Sequence, residues 1–145
     1  MEGRIVVSTS RDPARIAGMF DRIAIRYDTL NRLISLGMDK GWRARGVREL
    51  HLTGTERVLD MCTGTADFAV EAATSATGHA RKVIGIDFAG EMLRIGLAKI
   101  HKAGLADCIH LVRGDATNVP LPDASVEAAM VGFGIRNVVD RCLLY

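Results

Sequence analysis

Hydrophobic and polar residues follow two different patterns along the chain, and the change falls near residue 57. Before it, apolar residues recur every three or four positions, the spacing typical of amphipathic helices. The first such stripe comprises Ile16, Met19, Phe20 and Ile23. A further helix is predicted at about 39–50. Residues 1–50 are therefore predicted to form a helical preface without a strand.

After residue 57, short apolar runs alternate with longer amphipathic segments. The runs predict buried strands at 57–61, 82–86, 109–113 and 126–133. The intervening segments predict helices at 65–76 and 91–102. Strands that alternate with helices of this length are typical of an α/β fold with a parallel sheet and right-handed crossovers.

Composition changes this picture little. The 145 residues suit one domain, and a formal net charge of +2 does not indicate a nucleic acid as partner. Three widely spaced cysteines and scattered histidines predict neither a disulfide framework nor a metal site. No signal peptide or membrane span is predicted, so we expect a cytoplasmic protein. The more basic N-terminal part is either a solvated helical face or a surface for an anionic membrane or acidic ligand.

Acidic residues stand at the ends of three successive predicted strands: Asp60, Asp87 and Asp115. Because the carboxyl ends of parallel strands face the ligand crevice, the three carboxylates are expected to converge. Asp87 suits the hydroxyls of a ribose, and Asp115, in Gly114-Asp115-Ala116, suits the edge of an adenine. Any one of them could equally cap the helix that follows it.

The loop from Asp60 to Asp67 is made of small residues and leads into a helix N-terminus, where backbone N–H groups are free to bind a ligand. It contains one glycine, Gly64, where dinucleotide sites typically have three, with Cys62 and Ala66 in the flanking positions. Such a loop accommodates a compact ligand tail more easily than a pyrophosphate. A nicotinamide-dependent dehydrogenase is therefore disfavoured. Cys62 is interpreted as a small packing residue.

Several motifs together resemble one family. They are Val58 to Asp67, Tyr27-Asp28-Thr29-Leu30-Asn31 with a downstream Trp42, and Gly132-Phe133-Gly134-Ile135-Arg136-Asn137. The chain is similar over residues 15–140 to the C-methyltransferases of menaquinone and ubiquinone biosynthesis, which are class I enzymes that use S-adenosylmethionine. Gly132 departs from the serine that some members carry there, which puts one cofactor contact in doubt.

The resemblance implies a Rossmann-like domain at 51–145 that binds S-adenosylmethionine, and a substrate-side segment at 1–50. The expected cofactor-binding residues are Asp60, Gly64, Thr65, Asp87, Asp115 and Ala116. The expected substrate is a prenylated quinol. Arg136 would stabilise the phenolate that forms on it, and Asn137 would orient a ring hydroxyl or a water. Peripheral contact with the inner membrane face and a homo-oligomer remain open.

Sheets of class I methyltransferases have seven strands, and only four are predicted here. We therefore expect an incomplete sheet in the order 3-2-1-4, a C-terminally truncated chain and little activity from this chain by itself. The alternative is a catalytically silent remnant that at most binds S-adenosylmethionine.

Overall fold

The computed structural model of the chain describes residues 14–15, 18–24, 26 and 38–132. Within residues 38–132 the chain forms three helices: α1, Met38–Glu49; α2, Asp67–Thr74; and α3, Gly90–Lys102. Four strands make up the sheet: β1, Arg57–Met61; β2, Lys82–Asp87; β3, Ile109–Arg113; and β4, Ala128–Val131. Residues 18–24 are also helical and are called the N-terminal helical segment below.

All four strands are parallel, and their order across the sheet is β3-β2-β1-β4. This confirms the predicted α/β class and strand order. In the register of the sheet, Asp60 lies between Gly85 of β2 and Met130 of β4, and Asp87 lies beside Arg113 of β3. The carboxyl ends of β1, β2 and β3 therefore lie along one edge of the sheet.

Two predicted elements, α2 and β4, differ from the observed ones by two residues at each end. Helix α2 begins at Asp67 rather than at residue 65, because Ala66 takes a left-handed conformation that belongs to the turn and not to the helix. Strand β4 spans only Ala128–Val131, a shorter run than the predicted 126–133. The Glu127 carboxylate instead receives the Arg57 N–H at 2.7 Å, just before β4 begins.

The central strands β1 and β2 are largely buried on both faces of the sheet, which explains why they appear in the sequence as continuous apolar runs. On one face, Val58 and Val83 pack with Ile100 of α3 and Val47 of α1. On the other face, a second cluster contains Leu59, Met61, Ile86 and Ala116. Strand β1 supplies both clusters because successive side chains of a strand point to opposite faces.

The N-terminal helical segment lies against the beginning of α3. Its Ala24 is buried in a small cluster with Ala89 and Met92. Its Asp21 accepts a hydrogen bond from the Glu91 N–H at 2.9 Å, in the first turn of α3. A carboxylate is favourable there because the first N–H groups of a helix have no partner within it. The N-terminal helical segment is thereby fixed close to the end of β2.

Candidate functional site

Backbone hydrogen bonds join the three loops that follow β1, β2 and β3. The Thr63 N–H donates to the Ile86 carbonyl at 3.0 Å, and the Gly114 N–H donates to the Asp87 carbonyl at 2.9 Å. The end of β2 is thus tied to the loops on both sides of it. The three loops form one surface, as the sequence predicted from the three strand-end acids.

Asp87 is the centre of this surface. One of its carboxylate oxygens accepts the Gly64 N–H at 2.8 Å, and the other accepts the Ala89 N–H at 2.9 Å. A carboxylate offers about four acceptor positions, so about two remain for a ligand. Burial raises the pKa of Asp87; the backbone N–H groups of Ala89, Gly64 and Phe88 oppose this shift, and the nearby charge of Asp21 adds to it.

Asp60 lies beneath the first loop and is only 1% exposed. The Thr63 hydroxyl donates to its carboxylate at 2.6 Å. Burial raises the pKa of Asp60 to about 7; the hydrogen bond from Thr63 opposes this shift, and the nearby charge of Asp87 adds to it. This position makes Asp60 a support for the turn, and its predicted contact with the cofactor stays a prediction.

The loop after β1 has the backbone of a glycine-rich turn, although it contains a single glycine. Cys62, Gly64 and Ala66 have positive φ angles of 58°, 57° and 65°. A left-handed conformation costs a residue with a side chain about 1–2 kcal/mol relative to the right-handed one. Cys62 and Ala66 thus take the conformation that glycine adopts without this cost, at the two positions where the sequence lacks glycine.

Thr65 is buried, and its hydroxyl faces α3. The ammonium group of Lys99 donates to the Thr65 hydroxyl at 2.9 Å and to the Asp67 carboxylate at 2.8 Å. The predicted contact of Thr65 with a cofactor therefore stays a prediction. Sequence reasoning missed Lys99 and Asp67, and no local motif identifies them, because the two lie 32 residues apart.

Asp115 is exposed, whereas the neighbouring Ala116 is buried. One oxygen of Asp115 accepts both the N–H and the hydroxyl of Thr117, at 2.9 Å and 2.8 Å. This Asx turn fixes the direction of the carboxylate.

The thiol of Cys62 is partly buried and is influenced by the charges of the three predicted acids. The pKa of its thiol is raised to about 12, first by burial and then by the charges of Asp87, Asp60 and Asp115. At neutral pH the thiol is protonated and therefore a weak nucleophile. This agrees with the interpretation of Cys62 as a packing residue.

Other predicted residues lie outside the described part of the chain. These include both expected catalytic residues, Arg136 and Asn137, and the preface residues Tyr27, Asp28 and Asn31. Within the described ranges, no group of three histidine, cysteine or acidic side chains is arranged to hold a metal ion. Among those same residues, no helix is both long and apolar enough to cross a membrane.

A parallel β3-β2-β1-β4 sheet, with acids at the ends of three strands, defines the Rossmann-like fold of class I methyltransferases. Solved structures agree. A Methanococcus maripaludis protein assigned as an S-adenosylmethionine-dependent methyltransferase matches 86% of this chain and 55% of its own, with 18% identity and a TM-score of 0.72. A SAM-dependent methyltransferase of Aquifex aeolicus matches 70% of this chain and 53% of its own, with 22% identity and a TM-score of 0.61.

The chain belongs to the ubiE/COQ5 methyltransferase family, whose profile matches residues 8–143. It is 46% identical, over 88% of its length, to the ubiquinone/menaquinone biosynthesis C-methyltransferase UbiE of Citrifermentans bemidjiense. It is 36% identical, over 87% of its length, to the demethylmenaquinone methyltransferase of Lactiplantibacillus plantarum. The matches cover 54% and 53% of these relatives, so the chain spans about half of their length.

Proposed function

We propose that this chain supplies the S-adenosylmethionine-binding half of a C-methyltransferase that acts on a demethylated, prenylated quinol. The observation that supports the proposal is the environment of the Asp87 carboxylate. Its carboxylate is buried, is held by two backbone N–H donors and retains acceptor capacity at the edge where three loops meet. A ribose diol supplies two O–H donors to such a group.

The other loops suit the remaining parts of the same ligand. Asp115 is oriented by Thr117 and keeps one oxygen that accepts nothing from Thr117, so it can accept the amino group of an adenine. The small residues around Gly64 leave room for the methionine portion beside the N-terminus of α2. Asp60 and Thr65 also support this loop through hydrogen bonds with Thr63 and Lys99, and their predicted contact with the cofactor is part of the proposal.

Bound S-adenosylmethionine supplies an electrophilic methyl group. The substrate part of the proposal rests on the family. When water takes the phenolic proton, the electron density on the adjacent ring carbon increases. That carbon would form a bond to the methyl carbon in line as the methyl–sulfur bond breaks and S-adenosylhomocysteine leaves, and loss of the ring carbon's own proton to water would restore the aromatic ring. The chain has to align the two molecules and stabilise the negative charge of the phenolate. Arg136 is proposed for this charge, and Asn137 for orientation of a ring hydroxyl.

The named relatives are methyltransferases, which supports an active enzyme over a catalytically silent remnant. A cytoplasmic protein that meets the inner membrane face suits a substrate with an isoprenoid tail. The exposed side chains of Lys40, Arg45 and Arg48 on α1 are compatible with such a contact.

Replacement of Asp87 tests the cofactor part. Asp87→Asn keeps the shape of the side chain but removes the charge and two acceptor positions. We expect affinity for S-adenosylhomocysteine, measured by titration calorimetry, to fall about tenfold to a hundredfold, which corresponds to roughly 1.5–3 kcal/mol for hydrogen bonds to a charged group.

Asp107→Asn is the matched control, because it makes the same change at an exposed position before β3, at the opposite edge of the sheet. Its affinity should equal that of the unaltered chain. Equal affinities for both variants would contradict the role of Asp87.

A further inference from the structure

Behind the loop that follows β1, charged side chains from α1, α2 and α3 meet. Lys99 of α3 donates to the Thr65 hydroxyl at 2.9 Å and to the Asp67 carboxylate at 2.8 Å. The other oxygen of Asp67 lies 3.7 Å from the Arg43 guanidinium of α1, which also pairs with Asp39 at 2.9 Å. We call these five residues the loop brace.

The brace is partly shielded from solvent. The side chains of Arg43 and Asp39 are 16% and 9% exposed, and those of Lys99 and Asp67 are 30% and 40% exposed. Lys99 also contacts two acceptors at once, and hydrogen bonds with a charged partner are stronger than neutral ones. It therefore differs from an isolated surface ion pair, whose contribution is usually small.

The two acceptors of Lys99 flank one strained residue. Thr65 and Asp67 stand on either side of Ala66, whose φ and ψ of 65° and 21° lie in the left-handed region. A residue with a side chain keeps this conformation only where its surroundings enforce it. Lys99 therefore forms hydrogen bonds with the residues immediately before and immediately after Ala66.

The conformation of Ala66 matters for the ligand surface, because the same loop directs the Gly64 N–H at Asp87. The turn is also closed by the Ala66 N–H, which donates to the Thr63 carbonyl at 2.9 Å. Relaxation of Ala66 towards an ordinary backbone conformation would move both groups. It would thereby change the acceptor geometry of Asp87.

We propose that Lys99 is a positioning residue for cofactor binding, which acts through Thr65 and Asp67 to hold the loop in its binding conformation. Arg43 supports the same carboxylate from α1 at a longer distance. The inference rests on the proposed function, because it takes S-adenosylmethionine as the ligand of this loop.

The test compares Lys99→Met with Lys102→Met, which makes the same change at an exposed position on the same helix. Calorimetric titration with S-adenosylhomocysteine gives the Kd and the fraction of binding-competent protein separately. Lys99→Met should raise the Kd roughly two- to thirtyfold, the range by which residues that act through a network change affinity. Lys99→Arg should recover part of this loss, and Lys102→Met should leave the Kd unchanged.

A merely structural role would give a different result. Lys99→Met would then lower the competent fraction or the urea midpoint, while the folded molecules bound with the original Kd. That outcome overturns the proposal. Failure of the unaltered chain to bind the ligand contradicts the proposed function instead, so the two failures are distinguishable.

The strained residue provides a second, independent test. Glycine takes the left-handed conformation without the cost that alanine incurs. If Lys99 acts by holding Ala66, the added substitution Ala66→Gly should restore much of the affinity lost in Lys99→Met. A double variant that binds as weakly as Lys99→Met overturns this mechanism.

Discussion

Asp60 combines near-complete burial with a position next to a second carboxylate. Its pKa of about 7 arises first from burial, which disfavours the ionised form, and is opposed by the hydrogen bond from Thr63. The ordinary value of an aspartate is 3.8. The folded protein therefore binds the proton of Asp60 more tightly than the unfolded chain does, and its stability depends on pH.

The sign of this dependence follows from the raised pKa. Below about pH 4 Asp60 is protonated in both the folded and the unfolded chain, and its full contribution to the free energy of unfolding is present. As the pH rises towards 7, Asp60 ionises freely only in the unfolded chain, so the free energy of unfolding falls. Asp60→Asn stays neutral and still accepts from Thr63. We expect it to exceed the unaltered chain in free energy of unfolding by roughly 2–4 kcal/mol at pH 8, with the difference shrinking towards pH 4.

Urea unfolding between pH 4 and pH 8 measures this difference. Asp87 also has a raised pKa, and its charge acts on Asp60, so the comparison measures the titration of Asp60 together with its coupling to Asp87. Asp107→Asn should follow the unaltered chain. A constant gap between Asp60→Asn and the unaltered chain across this range would show that Asp60 does not titrate in it.

Helix α3 packs closely on the loop after β1, and Gly96 permits this close packing. A Cβ atom at Gly96 would lie 3.1 Å from the Ala66 Cβ and from the Thr65 carbonyl carbon, and 3.2 Å from a methyl group of Leu111. Helix α3 therefore packs directly on the strained turn. Lys99 extends from the same helix to the residues on either side of that turn.

Two glycine-to-alanine substitutions test this packing. Gly41 lies within α1, and a Cβ atom added there would have no atom of the described residues within 4 Å, so Gly41→Ala should stabilise the protein by about 0.5–1 kcal/mol through helix propensity alone. Gly96→Ala gains the same propensity but forces the loop or Leu111 to move, at a cost of about 1–3 kcal/mol. We expect a net loss of stability.

Thermal or urea unfolding of the two variants decides between these effects, and titration with S-adenosylhomocysteine adds a second measurement. Gly96→Ala should also weaken binding, because the atoms it displaces belong to the loop. If the Gly96→Ala protein were as stable as the Gly41→Ala protein, the turn after β1 would accommodate the added methyl group without a loss of stability.

Across the whole molecule, contacts distant in sequence converge on the end of β2. Asp87 is joined to the loop after β1 through Gly64 and to the loop after β3 through Gly114, and Asp21 of the N-terminal helical segment caps the adjacent helix α3. The N-terminal helical segment, the sheet and the loops on both sides of β2 therefore all have contacts close to this end of the strand.

The quinol part of the proposed function is tested in a full-length protein. We expect residues 1–140, joined to the complementary part of the Citrifermentans bemidjiense relative, to transfer the methyl group of labelled S-adenosylmethionine to a demethylmenaquinol. Arg136→Met should lower kcat by about a hundredfold or more, as loss of one group that stabilises an oxyanion does.

Arg81→Met provides the control, because Arg81 is an exposed arginine just before β2, at the opposite edge of the sheet. It should leave kcat unchanged. Transfer that is equally fast in both variants would exclude Arg136 from the stabilisation of the phenolate.

The fold class and the family could be predicted from the order of the residues, and the strand order followed from the resemblance to that family. Buried parallel strands appear as short apolar runs, so β1, β2 and β3 were predicted to within one residue at each end. The acids at their ends were found because strand ends in a parallel sheet share one edge. The apolar runs and the acids that follow them are both formed by residues close together in the sequence, so they can be recognised without the structure.

The contacts that hold the loop after β1 could be identified only in the folded structure. Folding brings together the partners on which three features depend: the left-handed conformation of Ala66, the hydrogen bonds from Lys99 to Thr65 and Asp67, and the raised pKa of Asp60. In the sequence, Lys99 cannot be distinguished from the other polar residues of an amphipathic helix. Its partners stand 34 and 32 residues away, and neither helix periodicity nor motif spacing encodes a contact between groups that meet through packing.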